Sequence, residues 1–393
     1  MKSVPILEVA ESVTTSPSRY VGDRVYYATA DVSGSDLLKG TLVTFDDRPS
    51  RANLAVKKND VLFAKMQATN KVIHVDCVAE NAIFSTGFFN LRAHRGTLAP
   101  RYLFWFLRGP QFNYEKDKHC TGATQKALTL SGLRNINIPL PARIEDQRRI
   151  AAILDKADAI RRKRENLLDA MSGFVRSAYL HTVGHLNPNH GDWEPFTIEA
   201  LAEDRKGSIR SGPFGSALRH GEFVDDGIAV LGIDNAVRNK FAWGERRFIT
   251  PSKYEELRRY KVFPGDVIVT IMGTTGRSAV VPDGIPEAIT TKHLATITCN
   301  KELIHPEVLS FAIHSDPLII RQIKSFNKGA IMDGLNLGII RKLKISLPPM
   351  ENQIRFVAML HKARAIEAKS QTPDGSGDGL FQSLSQRAFR GEL

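Results

Sequence analysis

The sequence predicts an α+β protein made by internal duplication. Two similar mixed domains are related by a pseudo-two-fold and separated by two long helices that pair as an antiparallel coiled coil. Three observations predict this. The first is a repeat: residues 60–66 (DVLFAKM) recur as residues 266–272 (DVIVTIM), an offset of 206. Gly122, Ala123, Leu128, Arg134, Ile136, Ile138, Leu140 and Pro141 are answered by Gly329, Ala330, Leu335, Arg341, Leu343, Ile345, Leu347 and Pro348 at an offset of 207, and residues 147–154 (QRRIAAIL) by 353–360 (QIRFVAML) at 206 again. A period near 200 lies far beyond the roughly 20–50 residues of a solenoid unit, so a whole domain is repeated. The second is heptad-like apolar spacing after each copy. The third is size: 393 residues, 42 % of them hydrophobic, suffice for two or three packed domains.

Residues 1–141 form the first domain. Short strands are expected at 25–30, 41–45, 61–63 and 72–75, between Gly, Asn and Asp turns. A helix begins at Pro100 and its counterpart at Pro306, each with proline at the favoured first turn. Trp105 and Phe106 on that helix read as core rather than as a stacking platform. Residues 142–183 form the central helix. Its seam is Ile150, Ile153, Ala157, Ile160, Leu167, Met171, Phe174 and Ala178, interrupted only by Arg164. From 144 to 180 it would be some 55 Å long at about 1.5 Å per residue, more than one small domain covers, so it needs a partner helix. Residues 184–349 hold a linker marked by Gly184, Asn187, Pro188 and Asn189, then the second domain. Residues 350–393 supply the partner, with Phe356, Met359, Ala363 and Ile366 at the same spacing. Residues 372–379 (TPDGSGDG) cannot continue a helix, and Leu380, Phe381, Leu384 and Ala388 restart one. The expected arrangement is a rod of helices holding the two domains apart.

Composition narrows the function. Lys and Arg number 54 against 42 Asp and Glu, a net charge of +12, and the pI of about 9.6 favours a polyanionic partner. Three scattered cysteines, Cys77, Cys120 and Cys299, exclude a disulfide scaffold. No run approaches 18 apolar residues, and the acidic residues in MKSVPILEVAESVTT leave no signal-peptide core. A reducing cytoplasm is the expected compartment, without a membrane. There is no phosphate-cradling G-x-x-x-x-G-K-[ST] loop, and residues 211–216 (SGPFGS) lack its lysine. His181, His185 and His190 have no carboxylate or cysteine at ligand spacing, so no metal is expected. Asp46, Asp47, Asp225 and Asp226 lie in polar loops, and no nucleophile elbow occurs. A binder without catalytic residues or a cofactor of its own is expected.

Two related domains on a rigid spacer match a duplex, whose equivalent groove faces recur about every 10 to 10.5 base pairs, so double-stranded DNA with two unlike half-sites is the expected ligand. Lys and Arg would meet phosphates while polar loop side chains reach base edges. The candidates in the first domain are Arg51, Lys57, Lys58, Lys65, Lys71, Lys118, His119, Thr121, Thr124, Gln125 and Lys126. Those in the second are Arg210, Ser211, Arg219, Arg246, Arg247, Lys292, His293, Asn327 and Lys328. Loops 118–126 and 327–333, polar and glycine-containing where each domain meets its helix, are favoured.

These residues bring a family to mind. Residues 122–128 (GATQKAL), 138–141 (IPLP), 146–150 (DQRRI) and 154–156 (LDK), followed by 266–268 (DVI), 328–330 (KGA), 345–349 (ISLPP) and 351–355 (ENQIR), resemble the specificity subunit of type I restriction-modification systems. Their order, twice over, covers nearly the whole chain. The resemblance implies two target-recognition domains, each reading half of a bipartite DNA sequence, with the helices as a ruler. It implies two methyltransferase subunits docked on the assembly, with restriction subunits and their ATP-driven translocation as optional further partners. S-adenosylmethionine, Mg²⁺ and ATP would then belong to the partners. Asp146 stands where the family usually has Glu, and the insertion at 372–379 alters the second arm. Two other readings compete: a self-contained nuclease or methyltransferase, and an interaction scaffold that does not touch DNA.

Overall fold

The computed structural model describes residues 1–76, 79–237, 239–326, 334–370 and 377–393. The chain divides into two compact units, Met1–Asn166 with Gln371–Leu393, and Leu167–Ser370.

In the first unit an antiparallel sheet runs in the order Ala10–Val13, Phe88–Ala93, Val61–Ala64, Val72–His74. Val61, Leu62, Phe63 and Ala64 are all buried, because both faces of this central strand are covered. A second sheet orders Thr41–Val43, Arg24–Tyr27, Ile83–Ser85 and Ala52–Ala55, with its two middle strands parallel. The second unit repeats the plan. Its first sheet runs Ile209–Ser211, Leu294–Ile297, Val267–Thr270, Ser278–Val280, and its second places Ile228–Leu231 parallel to Ala288–Thr290. In both units an N-terminal strand pairs with the strand that precedes the long helix: Lys2–Pro5 with Asn137–Leu140, and Pro195–Thr197 with Lys344–Ser346. The four strands expected in the first domain appear within three residues of their expected ends.

Each unit is centred on the proline-started helix. Tyr102 to Leu107 of Pro100–Arg108 are buried without interruption, and Trp105 and Phe106 are core as expected. One side faces the sheet; the other packs on the C-terminal helix Gly377–Arg390, with Trp105 against Phe381 (ring centroids 5.3 Å apart) and Tyr102 and Phe106 against Phe389 (5.4 and 5.7 Å). In the second unit Phe311 of Pro306–Ser315 meets Tyr179, from the end of the 39-residue central helix Ile144–Thr182, at 4.9 Å and Phe356 at 5.2 Å.

A buried glutamine locks this helix in both copies. Gln147 accepts from the Ala99 amide (2.8 Å) and donates to the Thr97 and Pro141 carbonyls (3.0 and 3.2 Å). Gln353 accepts from the His305 amide (2.8 Å) and donates to the Leu303 and Pro348 carbonyls (3.0 and 2.9 Å). The amide offers an acceptor and two donors on one rigid head, which is what a helix entry beside two free carbonyls requires.

The expected heptad seam is corrected along the central helix. Ile160, Leu167 and Phe174 are exposed at 62, 39 and 50 %. The buried residues toward its start are Gln147, Ile150, Ala151, Leu154, Ala157 and Asp158, a stripe with the 3.6-residue period of a helix lying on a domain core. In the other helix Phe356 and Ala363 are buried while Ile366 is 46 % exposed.

Candidate nucleic-acid interface

In the first unit the structure gathers one group of candidates around a small hairpin, Cys120–Thr121 with Ala127–Leu128. Thr121, Thr124, Gln125 and Lys126 project from its exposed tip. Gly122 at φ 134° permits the turn; a Cβ there would meet the Gln125 carbonyl at 2.5 Å. The hairpin is latched to the end of the central strand: Leu128 N donates to the Lys65 carbonyl (2.8 Å) and Gln67 N to the Lys126 carbonyl (3.0 Å). Lys116, fully buried, donates Nζ to the Met66 carbonyl (3.0 Å) and to that of Thr69. Residues 66–70 thus stand beside the hairpin tip, a neighbourhood the sequence reading missed. Its signal was available: Met66 ends the repeated segment 60–66, with Met272 its equivalent.

The remaining first-unit candidates separate. Arg51, Lys57 and Lys58 are exposed on other turns. Lys118 and His119 lie 3.9 and 3.8 Å from Glu115. Lys65 Nζ donates to the Thr86 carbonyl (2.8 Å) over the Phe89 ring, and burial lowers its pKa; Lys71 Nζ donates to Thr29 (2.7 Å). Their ammonium groups are already partly used by the protein.

In the second unit Arg247, Lys292 and His293 come together in a cleft of about 440 Å³ with His220, Asp234 and Thr291. Burial, then the neighbouring Lys292 and Arg247, hold the His293 pKa below its ordinary value. Arg247 pairs with Asp234 (3.1 Å) and Glu245 (2.9 Å). Gly212, beside Pro213 of the cleft wall, has no room for a side chain, since a Cβ would sit 2.2 Å from the Thr290 carbonyl. Arg219 and Arg246 are exposed, the latter over the Trp243 ring, and Ser211 is half-buried in its strand. Asn327 and Lys328, with the rest of loop 327–333, lie outside the described residues.

Arg210 is corrected. Its guanidinium is 10 % exposed and bonds Asp266 Oδ2 (2.6 Å), the Lys261 carbonyl (2.7 Å) and Thr298 Oγ1 (3.0 Å). No sequence spacing announces a partner 56 residues away. In the first unit the equivalent Asp60 is held by Arg92 (2.7 Å), which comes from the neighbouring strand. The buried aspartate recurs while its arginine has changed strands.

Among the described residues no group of three or more His, Cys, Asp or Glu is placed to hold a metal ion, and no helix is long and apolar enough to cross a membrane. The model of the type I restriction modification DNA specificity domain matches residues 8–170 and again 191–374. The chain belongs to this specificity family. The double match restates the duplication, and membership carries the role: DNA recognition for a type I restriction-modification system, as a subunit that is not itself the catalyst.

Relatives agree. The chain is 22 % identical over 380 residues to the EcoBI specificity subunit of Escherichia coli, covering 91 % of this chain and 78 % of that one. It is 21 % identical to the MjaVIII specificity subunit of Methanocaldococcus jannaschii, covering 80 and 73 %. Among solved structures, the type I S subunit from M. genitalium superposes with a TM-score of 0.64 at 14 % identity over 99 % of this chain and 96 % of that one. A chain from work on complex assembly and conformational transition of the type I R-M system gives 0.53 at 19 %, over 100 and 98 %. At these identities the structures speak for the fold alone.

Proposed function

We propose that this specificity subunit reads a bipartite DNA target, one part with residues 1–141 and the other with residues 184–349, across a spacer made by helices 142–183 and 350–393. The observation that carries the reading is a latch kept in both halves beneath loops that differ. Leu128 N donates to the Lys65 carbonyl, and Leu335 N donates to the Ile271 carbonyl (3.1 Å). Equivalent loops are therefore presented on equivalent mounts, while Gln67, Ala68 and Thr69 in one half correspond to Gly273, Thr274 and Thr275 in the other. Unlike loops on like mounts read unlike half-sites.

The spacer is an antiparallel pair. Within the second unit Asn352, at the start of Met350–Ser370, donates to the carbonyl of Thr182 at the end of the central helix (2.9 Å), and Leu168 and Met171 share a groove with Ala363 and Glu367. The exposed Ile160 of the first unit and Leu167, Phe174 and Ile366 of the second are apolar side chains that the methyltransferase subunits cover. S-adenosylmethionine, ATP and Mg²⁺ are held by the methyltransferase and restriction subunits, and the complex works in the cytoplasm. Methylome sequencing of the host with and without the gene tests the reading. A single asymmetric bipartite motif should appear and vanish with the gene; a symmetric or unbroken motif refutes it.

A further inference from the structure

The turn between strands Val267–Thr270 and Ser278–Val280 is unusually well held. Thr270, fully buried, ties it from inside: Thr270 N donates to the Arg277 carbonyl (2.8 Å), Arg277 N to Thr270 Oγ1 (3.0 Å) and Gly276 N to the Thr270 carbonyl (2.9 Å), while Thr270 Oγ1 donates to the Thr274 carbonyl. The turn forms one wall of a cavity of about 370 Å³ whose other wall is His314 with Ile320, Ile323 and Lys324 of Pro317–Phe326. Among the described residues the lining carries Thr275, Arg277, His314 and Lys324 and no carboxylate. Among the described residues neither Arg277 nor Lys324 has a carboxylate within 4.0 Å. The buried Nδ1 of His314 has no hydrogen-bond partner among the described residues.

The other half shows what such cations look like when the protein uses them itself. At the equivalent positions Lys71 donates to the Thr29 carbonyl (2.7 Å), Arg108 pairs with Asp158 (3.5 Å) and Lys118 lies 3.9 Å from Glu115. The second half has the same mount, and among the described residues its cations have no carboxylate partner, on the turn equivalent to residues 66–71 of the first interface. A preorganised, concave, carboxylate-free site with a guanidinium, an ammonium and a hydroxyl suits a phosphate oxyanion.

We propose that Thr275, Arg277 and Lys324 clamp a backbone phosphate of the duplex in the half-site read by the second unit. This rests on the DNA-reading function above. It fixes register there and carries no base preference.

The test uses the full chain assembled with its methyltransferase partner, comparing the wild type with Arg277→Gln/Lys324→Gln. Both altered side chains are exposed, and an unchanged melting temperature confirms folding. Affinity for cognate duplex is measured against salt. With one phosphate no longer neutralised the slope falls by about 0.9, so between 50 and 200 mM salt the wild type should lose roughly 3.5-fold more affinity than the variant. The loss should be equal on cognate and unrelated duplexes. A scan of single methylphosphonates should then show one phosphate, confined to one half-site, whose neutralisation weakens the wild type and leaves the variant unchanged. That coupling also separates a duplex phosphodiester from a free anion, which would show none. An unchanged slope, or no coupled phosphate, overturns the clamp while the wild type still binds its bipartite target. Failure of the wild-type assembly to bind any duplex overturns the DNA reading and the clamp together.

Discussion

Replacing Gln147 with alanine should destabilise the first unit selectively. The substitution leaves the Ala99 amide, in a residue 4 % exposed, without an acceptor, and the Thr97 and Pro141 carbonyls without their donor, at a site where Gln147 itself is 1 % exposed. A buried orphaned donor costs about 1–3 kcal/mol and each hydrogen bond about 1 kcal/mol net, so a loss of about 3 kcal/mol is expected, a factor of about 150 in the folding equilibrium. Gln147→Glu should be no better. Its carboxylate can still accept from Ala99, but it faces two carbonyl oxygens and takes a charge into the core. Trp105 is the one tryptophan of the first unit, since Trp193 and Trp243 belong to the second. In a Trp193→Phe/Trp243→Phe background, urea unfolding followed by Trp105 fluorescence therefore reports that unit. A loss below about 1 kcal/mol for Gln147→Ala, or wild-type stability for Gln147→Glu, would refute the view that three simultaneous bonds set the helix.

Other predictions follow from charge. Arg210→Met should lower the stability of the second unit by about 3 kcal/mol, because it leaves Asp266 buried without its cation, and should leave the salt slope of DNA binding unchanged. Denaturant titration and a binding isotherm decide it; a fall in slope would restore Arg210 to the interface. Burial raises the Asp158 pKa, but Arg162, Arg161 and Arg108 outweigh it and hold the carboxylate below its ordinary value. A depressed pKa gives stability that is full above about pH 4 and is lost as pH falls through the folded value, so Asp158→Asn should destabilise the first unit at neutral pH and flatten its acid melting profile. The contact between domain helix and long helix has reversed its charges: Arg101 pairs with Asp155 (2.7 Å) in one unit, and Glu307 with Arg364 (2.8 Å) and His361 (3.7 Å) in the other. Glu307→Arg should cost about 1–2 kcal/mol, and adding Arg364→Glu should recover part of it; additive losses would show that the pair is not coupled.

The duplication, the strands, the proline-started helices and the family were all readable along the chain, because each rests on local spacing or on similarity between segments. Gln147 and Gln353 were visible as repeated letters, and their job became clear only when the loops at 97–99 and 303–305 were brought against them. The candidate interface was half legible. Exposure at the tip of loop 121–126 follows from its polar, glycine-containing composition, and Lys126 needed no more than that.

Tertiary structure decided the rest. Whether a basic residue faces solvent or a buried carboxylate depends on partners such as Asp266 for Arg210, which no periodicity reveals. It also decided that Ile160, Leu167 and Phe174 stand exposed although their spacing is that of a seam. Apolar period tells which residues share a face, but what covers that face is set by the packing of distant elements. The sequence by itself determined two copies of one reader. Only the tertiary structure showed which cations each copy neutralises internally and which, among the described residues, stand without a carboxylate.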